Sequence, residues 1–476
     1  MSNLSDLLPA GAGGKQVDFV ASGTLGSGQV VVLRSDGKVE AVDPAGGPAA
    51  PGESAIFEFN DTYSVSSAYD PGSNTVVVVY ADNTSGFRGE AVVGTISGSS
   101  ISFGTPVTFY SGYTLQINVG FAGAGKVVVA YTAEGASYTG RVKVGTVSGT
   151  SISFGGETEY SSANAGYPTF AWDSNSNRIV IFFKGSVDRG TARVGSVGSS
   201  VSFGSEVQFQ TDGAYGFAAT FDSNLNKVVV FYRDGSQWGR AKVGTVSGTS
   251  ISFGSEATFL SGSAQPCGAV FDTSSNKIVL AYIDYTNSQY GTAKVCTVSG
   301  TSISFGSAIV FKSASTNMVT NGTAAVYDSN ANKTTIGYST STVNTSAILG
   351  TVSGTSISFA SDTVVSTSTA APSCAYNSNQ NTVVMSYRNI EGDGESTLFK
   401  ATTSTAQNFI GITDAAISDT ASGSVTIKGG ISTNVTGLTA NSTYYVQSDG
   451  TLSTTASDVL AGKALSSTSI NLDYTT

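Results

Sequence analysis

Three times the chain carries the spacing Asp-x-Asn-x-Asn: Asp173 to Asn177, Asp222 to Asn226 and Asp328 to Asn332. Alternating carboxylate and amide oxygens form the opening half of a calcium loop, whose cation takes about six to eight oxygen ligands. A complete loop also needs a glycine at its sixth position and a distal bidentate Glu. Here Arg178, Lys227 or Lys333 follows at once, placing one positive charge where another would have to bind. The spacing reads instead as a hairpin turn in which Asp and Asn cap their own backbone. No metal site and no cofactor are expected.

Hydrolysis by two carboxylates needs a pair roughly 5 to 10 Å apart in one cleft. The acidic residues expected on loops, Glu134, Asp188, Asp212, Asp234, Asp284, Glu391 and Asp393, share no motif and fall in different segments. Solvated loop charges explain them, and no catalytic residue is assigned. The chain has no histidine, which removes the usual general base, proton shuttle and metal ligand. Its three cysteines, Cys267, Cys296 and Cys374, form no Cys-x-x-Cys pair and read as small apolar residues of buried strands.

Aromatic residues within polar loops carry a different chemistry. An amphipathic ring buries a large area at small entropic cost, so it suits contact with a sugar or a protein surface. Phe87, Tyr113, Tyr138, Tyr167, Tyr215, Trp238, Tyr285 and Tyr290 fall in such loops. They are the expected binding residues, set against the plainer alternative that each ring packs on its own loop. Trp238 stands out as one of two tryptophans. The other, Trp172, lies in a strand, where a core position is expected.

These loops are set by a repeat. The stretch Gly244-Thr-Val-Ser-Gly-Thr-Ser-Ile-Ser-Phe-Gly254 recurs with its phenylalanine at Phe103, Phe154, Phe203, Phe253, Phe305 and Phe359, at spacings of 51, 49, 50, 52 and 54. A period of about 50 residues without helical patterning predicts a β-propeller. In the fourth repeat the strands are expected over residues 216–221, 227–232, 239–246 and 250–259. The second is apolar throughout, as suits a strand covered on both faces, and the fourth alternates, as suits an outer edge. Turns between first and second strands occur seven times, one of them the degenerate Gly123-Ala-Gly125, whereas the Ser-Ile-Ser-Phe type of strand occurs six times.

The missing strand is found at the other end. Gly52-Glu-Ser-Ala-Ile-Phe57 resembles Gly254-Ser-Glu-Ala-Thr-Phe259, so residues 53–59 are expected to complete the seventh blade and leave no open sheet edge. The predicted fold is all-β: a seven-bladed β-propeller over residues 51–403, inserted into a small β-barrel or sandwich base domain built from residues 1–50 and 404–476. The base reading rests on two Ser-Asp-Gly hairpins, one between Val31 and Val39 and one between Thr443 and Leu452. The flanks leave at the short turns, so any partner is expected on the opposite face, among the longer second-to-third and fourth-to-first loops.

Charge narrows the partners. Only 12% of residues are charged, the formal net charge is −10 and there is no basic run, which argues against nucleic acid and against an anionic membrane. The first fifteen residues lack the basic and apolar regions of a secretory signal, although the hydroxyl-rich composition suits an exterior protein. A virus particle reconciles the two.

The opening Leu4-Ser-Asp-Leu-Leu-Pro-Ala-Gly-Ala-Gly-Gly-Lys15, the glycine- and serine-rich repeats, and the ending Tyr444-Tyr-Val-Gln-Ser-Asp-Gly-Thr-Leu-Ser-Thr-Thr455 with Ala461-Gly-Lys-Ala-Leu-Ser466 resemble structural proteins of tailed bacteriophages of marine bacteria, cyanophages among them. The resemblance runs over essentially the whole chain. It implies a non-enzymatic virion protein on the particle exterior, a tail- or head-fibre-type appendage. The base domain would contact other virion proteins, in part through Leu4, Leu7 and Leu8, and the propeller would reach a host-surface glycan or protein. A homotrimer fits this class, although no heptad or collagen-like run demands one. Two alternatives remain open: a capsid decoration that shields the shell, and a secreted glycan-binding or glycan-degrading propeller.

Overall fold

A computed structural model describes residues 15–34, 37–42, 51–59, 61–97, 100–114, 116–123, 125–134, 137–162, 164–319, 322–340, 344–367, 370–400, 405–447, 449–457 and 459–472. Among them the regular structure is antiparallel β, with three short 3₁₀ turns and no α-helix. Leu4, Leu7 and Leu8 lie outside the described residues. The chain divides into two compact units, Pro48–Ala401 on one hand and Met1–Gly47 with Thr402–Thr476 on the other.

Within Pro48–Ala401 one pattern recurs, again clearest in the fourth repeat. Ala214–Asp222 pairs with Lys227–Asp234, which pairs with Trp238–Ser247, against which lie Ser250–Phe253 and the start of Ala257–Asp272. Val228 to Tyr232 are buried without a break, because this strand has a neighbouring sheet on each face. The turn before it is held by Asp222, whose Oδ1 accepts the N–H groups of Asn224 and Leu225, both at 3.0 Å. Asn226 takes the left-handed conformation there, with φ +53°, which Asn tolerates better than most residues. Asp173, Asp272, Asp328 and Asn377 make the same turn, so the Asp-x-Asn-x-Asn spacing has a backbone-capping role.

The first strands are the innermost. Thr62–Asp70, Ile117–Phe121, Gly166–Asp173, Ala214–Asp222, the second half of Ala257–Asp272, Ala325–Asp328 and Ser373–Asn377 neighbour one another in that order, and the last adjoins the first. At that junction Ser67 N–H donates to Ser373 Oγ at 2.9 Å, and Gln380 Nε2 donates to Ile96 O at 2.9 Å. Pro51–Glu58 pairs antiparallel with Gly394–Phe399. Phe57 lies over Gly394 as Phe259 lies over Gly239, each ring filling the space that a Cβ would need.

The fourth strands depart from the expected continuous run. Each breaks after its phenylalanine, as at Gly254, whose N–H turns back to Val243 O. The glycine is required by a close approach and not by its φ. A Cβ on Gly254 would stand 2.0 Å from Thr301 O in the next repeat, and Gly104, Gly155, Gly204 and Gly306 meet Thr150, Ser199, Thr249 and Thr355 in the same way. The sixth repeat has Ala360 at this position, and the repeat after it has no Ser-Gly-Thr turn.

In the other unit, Gln16–Val20, Ser422–Ile427, Phe409–Thr413, Val30–Leu33 and Val39–Ala41 form a five-stranded sheet drawn from both ends of the chain. An isolated bridge from Ala21 to Val39 brings the two outer strands of that path together around Phe19, Leu25, Val31 and Val425. A second sheet consists of Ile431–Ser432, Ile470–Leu472, Leu460–Ala464, Thr443–Val446 and Leu452–Ser453. It shares a core with the first through Val30, Val32, Phe409, Ile412, Tyr444, Ala461 and Leu472.

If the glycine contacts join the repeats, Gly254→Ala should destabilise Pro48–Ala401 by about 1–3 kcal/mol, the usual cost of overpacking. Ala360→Gly should change stability far less. Thermal unfolding of the two variants checks the contrast, and equal melting temperatures would count against it.

Candidate functional site

Bulges in the first strands shape one end of the ring of inner strands. Register shifts fall between Tyr63 and Ser66, between Gly166 and Thr169, and between Tyr215 and Ala218. Each contains a residue in the left-handed region: Ser64 (φ +50°), Tyr167 (φ +53°) and Gly216 (φ +52°). Bulges re-aim side chains, and positive φ on a non-glycine residue stores strain of a kind found at ligand sites. The first two bulges border a cavity of about 480 Å³ whose lining includes Thr62, Tyr63, Ser64, Gln116, Tyr167, Asn317, Met318 and Arg388.

Beside it stands an aromatic cluster. Phe87 lies 5.4 Å from Tyr63 and 4.8 Å from Tyr113, centroid to centroid, so the cluster joins the loops of adjacent repeats. The Arg388 guanidinium sits 4.7 Å from the Tyr63 ring and bonds Asp61 at 2.5 Å. Asn83 donates to the other oxygen of Asp61. That hydrogen bond first, and Arg388 next, hold the Asp61 carboxyl below its ordinary range.

Other expected binding residues are dispersed. Tyr113, Tyr138, Trp238 and Tyr285 are between 39% and 50% exposed, so their rings remain open to a partner. Trp238 N–H donates to Asp234 Oδ1 at 2.8 Å, and Arg240, which bonds Asp234 Oδ2 at 2.7 Å, lies 5.1 Å from its ring. Tyr215 donates to Asp188 Oδ2 at 3.0 Å and has Arg233 and Lys184 near its face. Tyr290 is half-buried at the start of Tyr290–Ser299. The structure therefore unites Phe87 and Tyr113 at one end of the ring and puts Tyr167 in the cavity wall there.

Asp188, Asp234 and Asp284 have partners close by in the chain. Asp284 accepts the Thr286 N–H at 2.9 Å, and Asp188 pairs with Lys184 at 2.9 Å. Burial raises the Glu134 carboxyl. Burial also pushes all three thiols up, that of Cys374 to about 12, so they are held as unreactive thiols.

At the turn end of the inner strands a second cavity, about 330 Å³, is bordered by Tyr69, Phe121, Trp172 and Tyr376. Two of these rings reach toward the preceding repeat. Tyr376 donates to Asp328 Oδ1 at 2.8 Å, and Trp172 lies over Gly123, where an added Cβ would be 3.2 Å from its ring. The degenerate glycine turn thus makes room for the largest ring.

Further out, second-strand tyrosines donate to carboxylates: Tyr232 to Glu256 at 2.5 Å, Tyr338 to Asp362 at 2.7 Å, and Tyr131 to Glu157. The fifth repeat has Ala308 where Glu256 stands in the fourth, and the buried Tyr282 hydroxyl has no partner.

Tyr63, Asp61, Thr62, Gln116 and Arg388 were not picked out by sequence reasoning. The bulge positions Ser64, Tyr167 and Gly216 stand six residues before their turn Asp in each repeat, and that shared offset was the available signal. Their unlike residue types conceal it.

No family model and no curated protein matches the sequence. Among solved structures, the chain is similar to the BP39L lectin from Burkholderia pseudomallei, with a TM-score of 0.53 and 11% identity over 73% of this chain and 99% of that one. It is also similar to Sqt1 from Chaetomium thermophilum, with a TM-score of 0.45 and 10% identity over 76% of this chain and 100% of that one. A Sqt1 structure bound to the N-terminus of ribosomal protein L10 gives 0.45 and 11%, over 70% and 86%. The likeness to the lectin is one of fold alone, all-β and β-propeller-like.

Two outcomes follow. Tyr232→Phe should cost about 1.5–3 kcal/mol by removing a made hydrogen bond to a carboxylate, whereas Tyr282→Phe should be neutral or stabilising because the lost hydroxyl was unpaired; denaturant titration distinguishes them. The Asp61 contribution should be complete above the ordinary aspartate value of about 3.9 and vanish as pH falls through its lowered folded value. The melting difference between wild type and Asp61→Asn should shrink on acidification, and a constant difference would contradict it.

Proposed function

We propose that this chain is a non-enzymatic attachment protein: a seven-bladed β-propeller, closed by the pairing of Pro51–Glu58 with Gly394–Phe399, carried on a base domain built from both termini. The observation that carries the reading is the Tyr63–Phe87–Tyr113 cluster beside the mouth cavity. Rings left part-exposed on bulged, strained backbone suit contact with a surface ligand better than they suit core packing. The described lining of that cavity carries no carboxylate, so the paired acids of glycoside hydrolysis are not supplied there.

The resemblance of both ends and of the repeats to tailed-phage structural proteins supports a place on the exterior of a virion. The base would join other virion proteins, and the loop face would meet a host-surface glycan or protein. The lectin likeness, one of fold, is compatible with a glycan. Weak single contacts would gain strength from several copies per particle, a homotrimer included.

Adsorption of particles carrying Tyr113→Ala or Trp238→Ala tests this. Binding to host cells should fall at least several-fold while particle assembly is unchanged. Gold label against the loop face should appear on particles, at fibres or tail for attachment. Label spread evenly over the head would favour a decoration, and its absence from particles would remove the virion reading.

A further inference from the structure

Resting on the attachment reading, we propose that the mouth cavity is a cup that takes one terminal sugar ring of a neutral glycan. The chain leading into the sixth repeat contributes Asn317, Met318 and Val319 to its lining, and Gly322 beyond them lines the second cavity. Gly322 lies across the ring of inner strands, where a side chain would stand 2.7 Å from Thr169 Oγ1 in the third repeat. Buried Met318 supplies an apolar surface to the lining. The volume, about 480 Å³, is within the range of small-molecule sites, about 300–1,000 Å³.

The polar groups point to a hydroxylated ligand. Thr62 is fully buried and lines the cavity, and its Oγ1 has no hydrogen-bond partner. A buried hydroxyl without a partner is unfavourable, and a ligand hydroxyl or a water would satisfy it. Gln116 Oε1 accepts the Tyr167 N–H, which orients the amide and leaves its NH₂ as a donor. Tyr63 and Tyr167 complete the wall with rings suited to the C–H face of a sugar.

Charge then selects within the class. Arg388 is the one charged residue among the described lining, and Asp61 neutralises it while its plane rests on Tyr63. An anionic sugar would have to displace Asp61 from the guanidinium, and a cationic ligand would find no carboxylate in the described lining to pair with. A neutral ring meets neither obstacle.

Saturation-transfer NMR and titration of the full chain would use methyl glycosides of glucose, galactose, mannose, fucose and N-acetylglucosamine, with glucuronic and N-acetylneuraminic acids as anionic comparators. At least one neutral glycoside should bind and the acids should not. Thr62→Val, which keeps the side-chain volume, and Tyr167→Ala should each weaken binding about tenfold, whereas Leu225→Ala, an exposed position on the turn capped by Asp222, should leave it unchanged. No binding by any neutral glycoside, a preference for the acids, or binding unaltered in both cup variants would overturn the proposal. Loss of adsorption in cup variants without sugar binding would point to a protein receptor, and would also overturn it. If sugars bind the isolated chain but particles carry no label, the cup stands and the virion reading falls.

Discussion

A four-stranded antiparallel sheet cannot bury both of its faces alone, so each repeat depends on the neighbour it leans against. The tightest of those contacts place glycine against backbone, as at Gly254 and Thr301, where any side chain would hold the sheets apart. Such an array still has two exposed ends. Pairing of Pro51–Glu58 with Gly394–Phe399 supplies the last fourth strand, puts Phe57 on Gly394, and lets Ser67 and Ser373 bond across the junction. The buried second strands, the aligned inner strands and the cavity that they border all rest on that continuity.

The strand periodicity, the antiparallel order and the turn chemistry were legible because each depends on local residues repeated with little change. The Asp-x-Asn-x-Asn turn is one example: the same atoms make the same hydrogen bonds wherever it occurs. Divergence between repeats hid the rest. The break in each fourth strand follows from a backbone approach in the next repeat, and the bulges at Ser64, Tyr167 and Gly216 occupy one position with three unlike residues. Phe87, Tyr113 and Tyr167 could be named as loop aromatics. Their association with Tyr63 and Arg388 could not, because it joins segments brought together only when first and last repeats meet.

The sixth repeat illustrates how a small departure changes the whole. Its first strand is confined to Ala325–Asp328, and the chain ahead of it crosses the ring of inner strands at Gly322. The two cavities differ in character. One is edged by hydroxyls, amides and a neutralised guanidinium. The other is edged by rings that tie each turn to the one before.

In the ladder between Pro51–Glu58 and Gly394–Phe399, Pro51 faces Phe399 and Glu58 faces Gly394. The chain therefore enters and leaves the larger unit at one end of an antiparallel pair. Tension that drew the two flanks apart would act on the Pro51–Phe399 end alone and peel the ladder pair by pair. Tension applied to both flanks in the same direction would be carried by the two strands side by side, and the bonds between them would bear almost none of it. By that geometry the unit is weaker against its own flanks being parted than against both being drawn the same way.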